Sequence, residues 1–224
     1  MFPQAIRMAE SAYKKYNTRD PYEIIDARNI KLWHFEQPET LLGFYKVMSR
    51  KQYIGLNRSA NDVQRLTAAI HEVGHSLNDY KIAATGFNFE DNFSFFSMSY
   101  APLEFNANLT GAELFIEDAF ILDNIYYAEY QKMAEYINSN IDRFHTDRAR
   151  MQFEEEQMRD FYDCHTDFPS YEQLAYALGI DVDLVKFKFI ALRYKGMDMP
   201  NIPETQADFL RNWNRSDRKV AISV

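Results

Sequence analysis

The residues best suited to chemistry lie in one short stretch, TAAIHEVGHSLNDY, at positions 67–80. His71 and His75 are four positions apart, so on an α-helix they differ by about 40° around the axis and both imidazoles can reach one point. Glu72 lies beside that point and can reach a water molecule held there. This H-E-x-x-H spacing predicts two metal ligands with a carboxylate base next to them. Three ordinary polar residues on one helix would give the same pattern, so a third ligand is needed to decide.

A catalytic zinc ion takes three protein ligands and keeps a fourth position for water. No histidine occurs between His75 and His145, and Asn78 and Lys81 occupy the positions that the longer H-x-x-G-x-x-H spacing would require. The third ligand is therefore a carboxylate or a distant histidine. The acidic candidates in the next predicted helix are Glu104, Glu113, Glu117 and Asp118.

Glu104 is the best placed of these candidates because it opens the predicted helix. Asn108 follows one turn later on the same face, where it could orient a ligand histidine through a hydrogen bond. The small residues Ala107, Gly111 and Ala112 would let this helix approach the metal-binding helix closely.

Hydrophobic periodicity predicts the elements that position these residues. Helical spacing is found at 5–16, 21–29, 60–80, 102–122 and about 121–160, and strand-like runs at 30–35, 43–48 and 52–57. We expect Asn61 to cap the metal-binding helix. Gly74 costs that helix about 1 kcal/mol relative to alanine, which predicts close packing of another element or access to the site.

Other segments carry weaker signals. Residues 81–101 lack clean periodicity and are predicted to form a loop that allows for a short ordered segment. Residues 43–57 read as a hairpin that offers an exposed sheet edge to an extended substrate, or as an ordinary strand pair serving the core. The tail from 197 onward is predicted to be irregular, with one helical turn near 206–213.

A helix pair is predicted at 170–196. Ser170 and Gln173 form a capping box, Gly179 ends the first helix and Asp181 caps the second. The pair resembles a helix-turn-helix, and its second helix is basic through Lys186, Lys188, Arg193 and Lys195. We favour a packing role over direct DNA binding through 170–196, because the chain as a whole is acidic.

Composition limits the classes of protein that fit. The 224 residues carry a formal net charge of −8 with a pI near 5.2, which argues against a protein that coats nucleic acid through a general basic surface. The single cysteine, Cys164, excludes an intramolecular disulfide. The N-terminus does not read as a signal peptide, and no apolar run is long enough for a membrane-spanning helix. We therefore expect a cytoplasmic protein without membrane contact.

The stretch HEVGH is followed, 29 residues after its second histidine, by EFNANLTGAELFI. Together these resemble the ImmA/IrrE metallopeptidases, whose pattern is HExxH followed by E-x-x-A-N/D-x-x-A-x-E-L-L. The positions that match the second part are Glu104, Ala107, Asn108, Glu113 and Leu114. Upstream GFY and YIGLN, and the closing YEQLAYALGIDVDLVKFKFIALRYKG, are similar as well. Asn106 and Gly111 depart from residues common in the family, but neither departure removes a ligand.

The resemblance implies one zinc ion per chain, bound by His71, His75 and Glu104, with Glu72 as the catalytic carboxylate. It implies a gluzincin-like metallopeptidase that cleaves a regulatory protein, specifically a helix-turn-helix repressor. Tyr80 or Tyr100 is a candidate donor to the oxyanion. The alternatives are a non-proteolytic interaction module, such as a toxin–antitoxin partner, and a DNA-associated regulator. A broadly degradative peptidase is the least favoured because it would harm its host.

The predicted fold class is α+β. It consists of a small, mostly antiparallel sheet packed on zincin-like active-site helices, with a helical C-terminal extension. The metallopeptidase domain is assigned to 1–120 and the helical C-terminal region, including the pair at 170–196, to 121–224.

Overall fold

A computed structural model of the chain describes residues 4–36, 40–85, 89–92, 101–165, 168–200 and 202, with backbone alone at 89–92 and 101. The elements are α1 (Gln4–Tyr16), α2 (Pro21–Ala27), β1 (Lys31–Phe35), β2 (Leu41–Met48), β3 (Lys51–Asn57), α3 (Asp62–Asn78), α4 (Tyr80–Ala83), β4 (Phe89–Asn92), α5 (Ala101–Phe115), α6 (Asp118–Asn124), α7 (Tyr127–Asn140), a 3₁₀ turn (Ile141–Arg143), α8 (Asp147–Cys164), α9 (Tyr171–Leu178) and α10 (Val182–Tyr194). The α+β class is confirmed. None of the described helices is long and apolar enough to cross a membrane.

The four strands form one sheet in the order β1-β3-β2-β4. β1 pairs with β3 in parallel, whereas β2 is antiparallel to both β3 and β4, so the sheet is mostly antiparallel as predicted. Ser49 and Arg50 form the two-residue turn of the β2–β3 hairpin, with φ of 50° and 63°. Left-handed conformations at both turn positions match the right-handed twist of the flanking strands.

The prediction that the 43–57 hairpin offers an exposed edge is wrong. β3 is central, and residues 41–45 of β2 are already paired with β4. The sequence pattern missed β4 because its four residues lie inside the segment predicted as a loop. That segment also contains most of α4, while 86–88 and 93–100 lie outside the described residues, as does the helical turn expected near 206–213.

Helix caps follow the sequence closely. The Asn61 side chain accepts from the backbone N–H of Gln64, whose own side chain accepts from the N–H of Asn61. The predicted capping box at Ser170 and Gln173 is present. Gly179 has a φ of 65°, the left-handed conformation that ends a helix at little cost to glycine. The predicted helix over 102–122 divides instead into α5 and α6.

α3 lies between the sheet and α5. Its alanines and Val73 pack with inward-facing strand residues in one hydrophobic core, which includes Tyr45, Ile54, Leu56, Ala68 and Ala69. On its other side α3 meets α5 at very short range. A Cβ on Gly74 would lie 2.2 Å from the carbonyl oxygen of Ala107, and a Cβ on Gly111 would lie 2.9 Å from the carbonyl oxygen of Ile70. Each helix thus presents a glycine to the backbone of the other, which explains the costly glycine at 74.

A buried ionic cluster fixes α10 against α5. Lys188 is fully buried and its Nζ lies 2.6 Å from Oε2 of Glu113, while Lys195 pairs with Oε1 of the same carboxylate. At the start of α10 the backbone N–H of Asp181 donates to Thr67 Oγ1 at 2.9 Å. Two of the basic side chains of the helix-turn-helix-like pair therefore serve internal packing.

The described residues belong to two compact units, which span Met1–Glu117 with Leu174–Met197, and Asp118–Gln173 with Asp198–Val224. The first unit thus includes α10 as well as the sheet, α3 and α5. Within the second unit, α7 and α8 share aromatic contacts, such as Tyr130 against Phe161 at 5.8 Å between ring centroids.

We predict that Gly74→Ala destabilises the protein by about 1–3 kcal/mol or more, because the new methyl group clashes with the backbone of α5. Helix propensity alone would raise the free energy of unfolding by about 1 kcal/mol, so the two effects have opposite signs. Urea unfolding followed by circular dichroism measures the difference. Val63→Ala, at an exposed position of the same helix, is the control and should change the free energy of unfolding by less than about 0.5 kcal/mol. A more stable Gly74→Ala variant would contradict the close approach.

We also predict that Lys188→Met costs about 3–5 kcal/mol, since it leaves the buried Glu113 carboxylate with one partner fewer. The double variant Glu113→Met/Lys188→Met should recover most of this loss, because both buried charges are then removed. The free energies of unfolding of wild type, both single variants and the double variant form the test. A double variant no more stable than Lys188→Met would show that the ionic pair is not the cause.

Candidate metal centre

Two helices bring together the three predicted ligands. His71 and His75 lie on α3, and Glu104 lies in the first turn of α5. Nε2 of His71 is 3.1 Å and Nε2 of His75 is 3.3 Å from the same oxygen, Oε2 of Glu104. One ligand atom from each residue lies within 4.8 Å of the others, so these side chains form a group that could hold a metal ion.

The far nitrogen of each imidazole is held by a second side chain. Nδ1 of His71 lies 2.8 Å from Oδ1 of Asn108, and Nδ1 of His75 lies 2.8 Å from Oδ2 of Asp79. These oxygens accept, so each Nδ1 carries a proton and donates it. In a neutral imidazole, Nε2 then has its lone pair directed at Glu104, which is the arrangement that binds a metal.

Without a cation, this arrangement would be unfavourable. Two nitrogen lone pairs would face a carboxylate oxygen at 3.1 Å and 3.3 Å. Protonating both imidazoles would remove that repulsion, but His71 and His75 are only 2% and 1% exposed and their ring centroids are 4.6 Å apart. Two imidazolium ions this close in the interior carry a large desolvation and repulsion cost. A divalent ion between the three side chains satisfies all of them.

The distances also suit a tetrahedral ion. Zn–N bonds of about 2.0–2.1 Å and Zn–O bonds of about 2.0–2.2 Å place two ligands of a tetrahedron roughly 3.3 Å apart. The two measured N···O separations are close to this value. Two imidazoles and one carboxylate are a ligand set that zinc commonly uses in catalytic sites, where the fourth position is kept for water.

Glu104 supplies both the negative charge and the open side of the centre. Partial burial acts to raise the pKa of this carboxyl group, but His71 and His75 outweigh burial and hold the pKa well below its usual range when their Nε2 atoms are protonated and donate to it. When both imidazoles are neutral, a cation bound between the three side chains would favour the ionised carboxylate in the same way. The carboxylate is therefore ionised at neutral pH. Its side chain is 35% exposed, whereas both histidines are almost fully buried, so solvent reaches the centre beside Glu104.

Glu72 is fully buried and faces the sheet. A Cβ on Gly43 of β2 would lie 3.1 Å from Oε1 of Glu72 and 3.3 Å from Cβ of Ala68. Gly43 thus leaves room for the Glu72 carboxylate between α3 and β2. The sequence analysis did not single out Gly43, although a glycine within an apolar strand often marks such a close approach.

Asp79 is the other residue that the sequence analysis missed. It occupies the C-cap of α3, is 3% exposed and holds His75 in place. Its position four residues after the second histidine of H-E-x-x-H puts it on the same helical face, and that spacing could have predicted it.

The remaining candidates have other positions. Glu113 is used by the lysine cluster on α10, Glu117 pairs with Arg19 at 3.4 Å, and Asp118 begins α6. Tyr80 begins α4 and is 40% exposed, and Tyr100 lies outside the described residues. The role of either tyrosine as an oxyanion donor stays a prediction.

Comparison with known proteins gives one short similarity. The chain is 36% identical over 63 residues to "Uncharacterized immunity region protein 2" of Bacillus phage phi105. The aligned stretch covers 28% of this chain and 40% of the phage protein, so the chain matches about two fifths of that relative's length. No family model and no solved structure matches the chain.

We predict that Asp79→Ala weakens the affinity of the centre for a divalent metal ion, titrated as zinc, by about 10–100-fold, because His75 loses the acceptor that fixes its orientation. Competition with a chromogenic chelator measures the affinity. Asp62→Ala is the matched control, since its side chain lies on the same helix and is 96% exposed. Unchanged zinc affinity in a folded Asp79→Ala variant would show that the aspartate does not support the centre.

Proposed function

We propose that this protein is a zinc-dependent endopeptidase of the ImmA/IrrE type. The observation that carries the proposal is the convergence of His71, His75 and Glu104 around one point, with Glu72 on the same helix. The resemblance of HEVGH and EFNANLTGAELFI to that family's motifs supports the same assignment.

In this proposal the histidines and Glu104 would hold one zinc ion per chain. When bound, zinc would polarise a carbonyl oxygen and lower the pKa of water toward neutrality. Glu72 accepts the proton from the attacking water at its carboxylate. It then delivers that proton to the departing amine nitrogen, as general bases do in peptide hydrolysis.

The positioning residues have separate tasks. Asn108 and Asp79 hold the Nδ1 protons of the two histidines, which keeps each Nε2 free to bind the metal. Gly43 keeps β2 from displacing Glu72. The solvent-exposed side of Glu104 gives a polypeptide its way in.

For the substrate we propose a regulatory protein, specifically a helix-turn-helix repressor. The similarity to a protein named for a phage immunity region supports a regulatory context, and the motif resemblance implies the same substrate class. A direct DNA-binding role for the α9–α10 pair is less well supported, because Lys188 is buried and Lys195 pairs with Glu113.

We predict that Glu72→Gln retains zinc near one ion per chain and lowers cleavage at least about 100-fold, since the amide cannot accept the proton. His71→Ala should lose both zinc and cleavage. The assay incubates each purified protein with the repressor encoded next to its gene and detects fragments by mass spectrometry, with a chelator-treated sample alongside.

The matched control is Asp62→Asn, a neutralised carboxylate at an exposed position of the same helix, which should cleave at the wild-type rate. Native cleavage by Glu72→Gln would remove the general-base role. Cleavage unaffected by either His71→Ala or the chelator would remove the metallopeptidase proposal itself.

A further inference from the structure

The sheet has a second face, opposite α3, that the metal centre does not use. Tyr45, Ile54 and Leu56 point into the core, so the alternating positions of the strands form the other side. We call this side the outer face. Its residues are Lys31, Trp33 and Phe35 of β1, Lys51, Tyr53 and Gly55 of β3, and Phe44, Lys46 and Met48 of β2.

Aromatic rings form a contiguous cluster at the centre of the outer face. The Phe44 ring lies over Gly55, where a Cβ would be only 2.1 Å from the ring, so the glycine makes room for it. Phe35 lies 5.6 Å from Phe44 at an interplanar angle of 31°, and Trp33 lies 6.1 Å from Phe44 at 85°. Trp33 is 56% exposed. The Phe35 and Phe44 rings are therefore inclined at a small angle to each other, and the Trp33 ring is nearly perpendicular to Phe44.

The charged residues that β1, β2 and β3 contribute to this face have one sign. The chain has 33 acidic and 25 basic residues, yet β1, β2 and β3 contain no acidic residue. Their charged side chains are Lys31, Lys46 and Lys51, and Arg50 adds a fourth cation at the turn. Lys31, Tyr53 and Lys46 follow one another across the three strands.

The lysines of the outer face are not used for internal pairing. Lys46 and Lys51 form no ion pair with another residue in the part of the chain that the structure describes, and Lys31 donates only to Asn29, at 3.3 Å. On the other side of β2 the backbone register pairs Phe44 with Glu90 of β4, so the set of cations described here is defined on β1, β2 and β3 alone.

We propose that the outer face binds single-stranded nucleic acid. An exposed tryptophan beside two half-buried phenylalanines, flanked by lysines that form no ion pair within the described residues, matches a ligand that is both planar and anionic, since bases stack on aromatic side chains and phosphates attract lysines. A duplex would present its phosphates but not the faces of its bases. The acidic residues of a peptide would neutralise the lysines but offer no planar group to stack on the rings. This role goes beyond peptide hydrolysis and uses none of the metal-centre residues.

Titration of fluorescein-labelled dT15 with the full chain, followed by fluorescence anisotropy at low salt, tests the proposal. Each phosphate contact to a single strand makes the slope of log affinity against log salt concentration more negative by about 0.7. Four cations therefore predict a slope of about −2 to −3. An abasic oligonucleotide of equal length and the dT15·dA15 duplex should bind at least about fivefold more weakly than dT15.

Variants separate stacking from charge. Trp33→Ala should weaken dT15 binding about tenfold, and Trp33→Phe should restore most of the affinity because it keeps a ring. Tyr176→Ala is the matched control, since Tyr176 is 90% exposed on α9. Lys31→Glu/Lys46→Glu should abolish binding, while Lys14→Glu/Lys15→Glu on α1 should retain it apart from a small general charge effect. Thermal melts establish that each variant is folded.

Three results would overturn the proposal. The first is no anisotropy change with dT15 at low salt. The second is equal affinity for dT15 and the abasic strand together with no effect of Trp33→Ala, which would reduce the interaction to general charge attraction. The third is tighter, Trp33-dependent binding of an acidic peptide, which would make the outer face a protein-docking surface. None of these results bears on cleavage by the metal centre.

Discussion

The close approach of α3 and α5 is the constraint on which the rest of the structure depends. Gly74 and Gly111 each remove the side chain that would hold the two backbones apart. The histidines lie on one helix and Glu104 on the other, so the spacing of the helices sets the N···O distances of 3.1 Å and 3.3 Å. Imidazole and carboxylate side chains are short, and an ion bound at about 2 Å tolerates little variation in that spacing. The lysines of α10 that hold Glu113 then keep α5 from shifting against its neighbours.

Charge balance explains why the centre is built asymmetrically. His71 donates to a neutral amide and His75 to a carboxylate, both at 2.8 Å. A divalent cation bound by the ionised Glu104 and two neutral histidines would give the centre a net charge of +1. The Asp79 carboxylate, which accepts from Nδ1 of His75, offsets that charge. Glu72, on the same helix as the histidines, is a further buried acid and lies beside Gly43 of β2. An aspartate in place of Asn108 would add another negative charge in a site where each histidine is at most 2% exposed, so the neutral amide suits the charge balance.

The sequence predicted the centre better than it predicted the sheet, for a physical reason. His71, Glu72 and His75 are related by helical geometry alone, and the capping residues Asn61, Ser170 and Gly179 act within a few residues of their own positions. Small residues at 74, 107 and 111 correctly indicated that two helices approach closely. The pairing of β4 with β2 depends instead on contacts between segments some 45 residues apart, and a four-residue strand has too few positions to show alternation. Gly43 was missed for the same reason, because its role depends on which helix packs against β2.

The order of the strands also limits how a polypeptide reaches the centre of the proposed peptidase. Because β4 covers β2 along residues 41–45, an extended chain cannot pair with β2 beside Gly43 and Glu72. The free edges of the sheet in the described residues belong to β4 and β1. β1 is separated from β2 by β3, about two strand spacings away, whereas β4 borders the strand that contacts Glu72. Within the described residues, β4 is therefore the edge that lies nearest to Gly43 and Glu72, and the proposed peptidase would add an extended segment there. The same topology leaves the face of β1, β3 and β2 that points away from α3 available for a different ligand, so the sheet separates two surfaces of different chemistry.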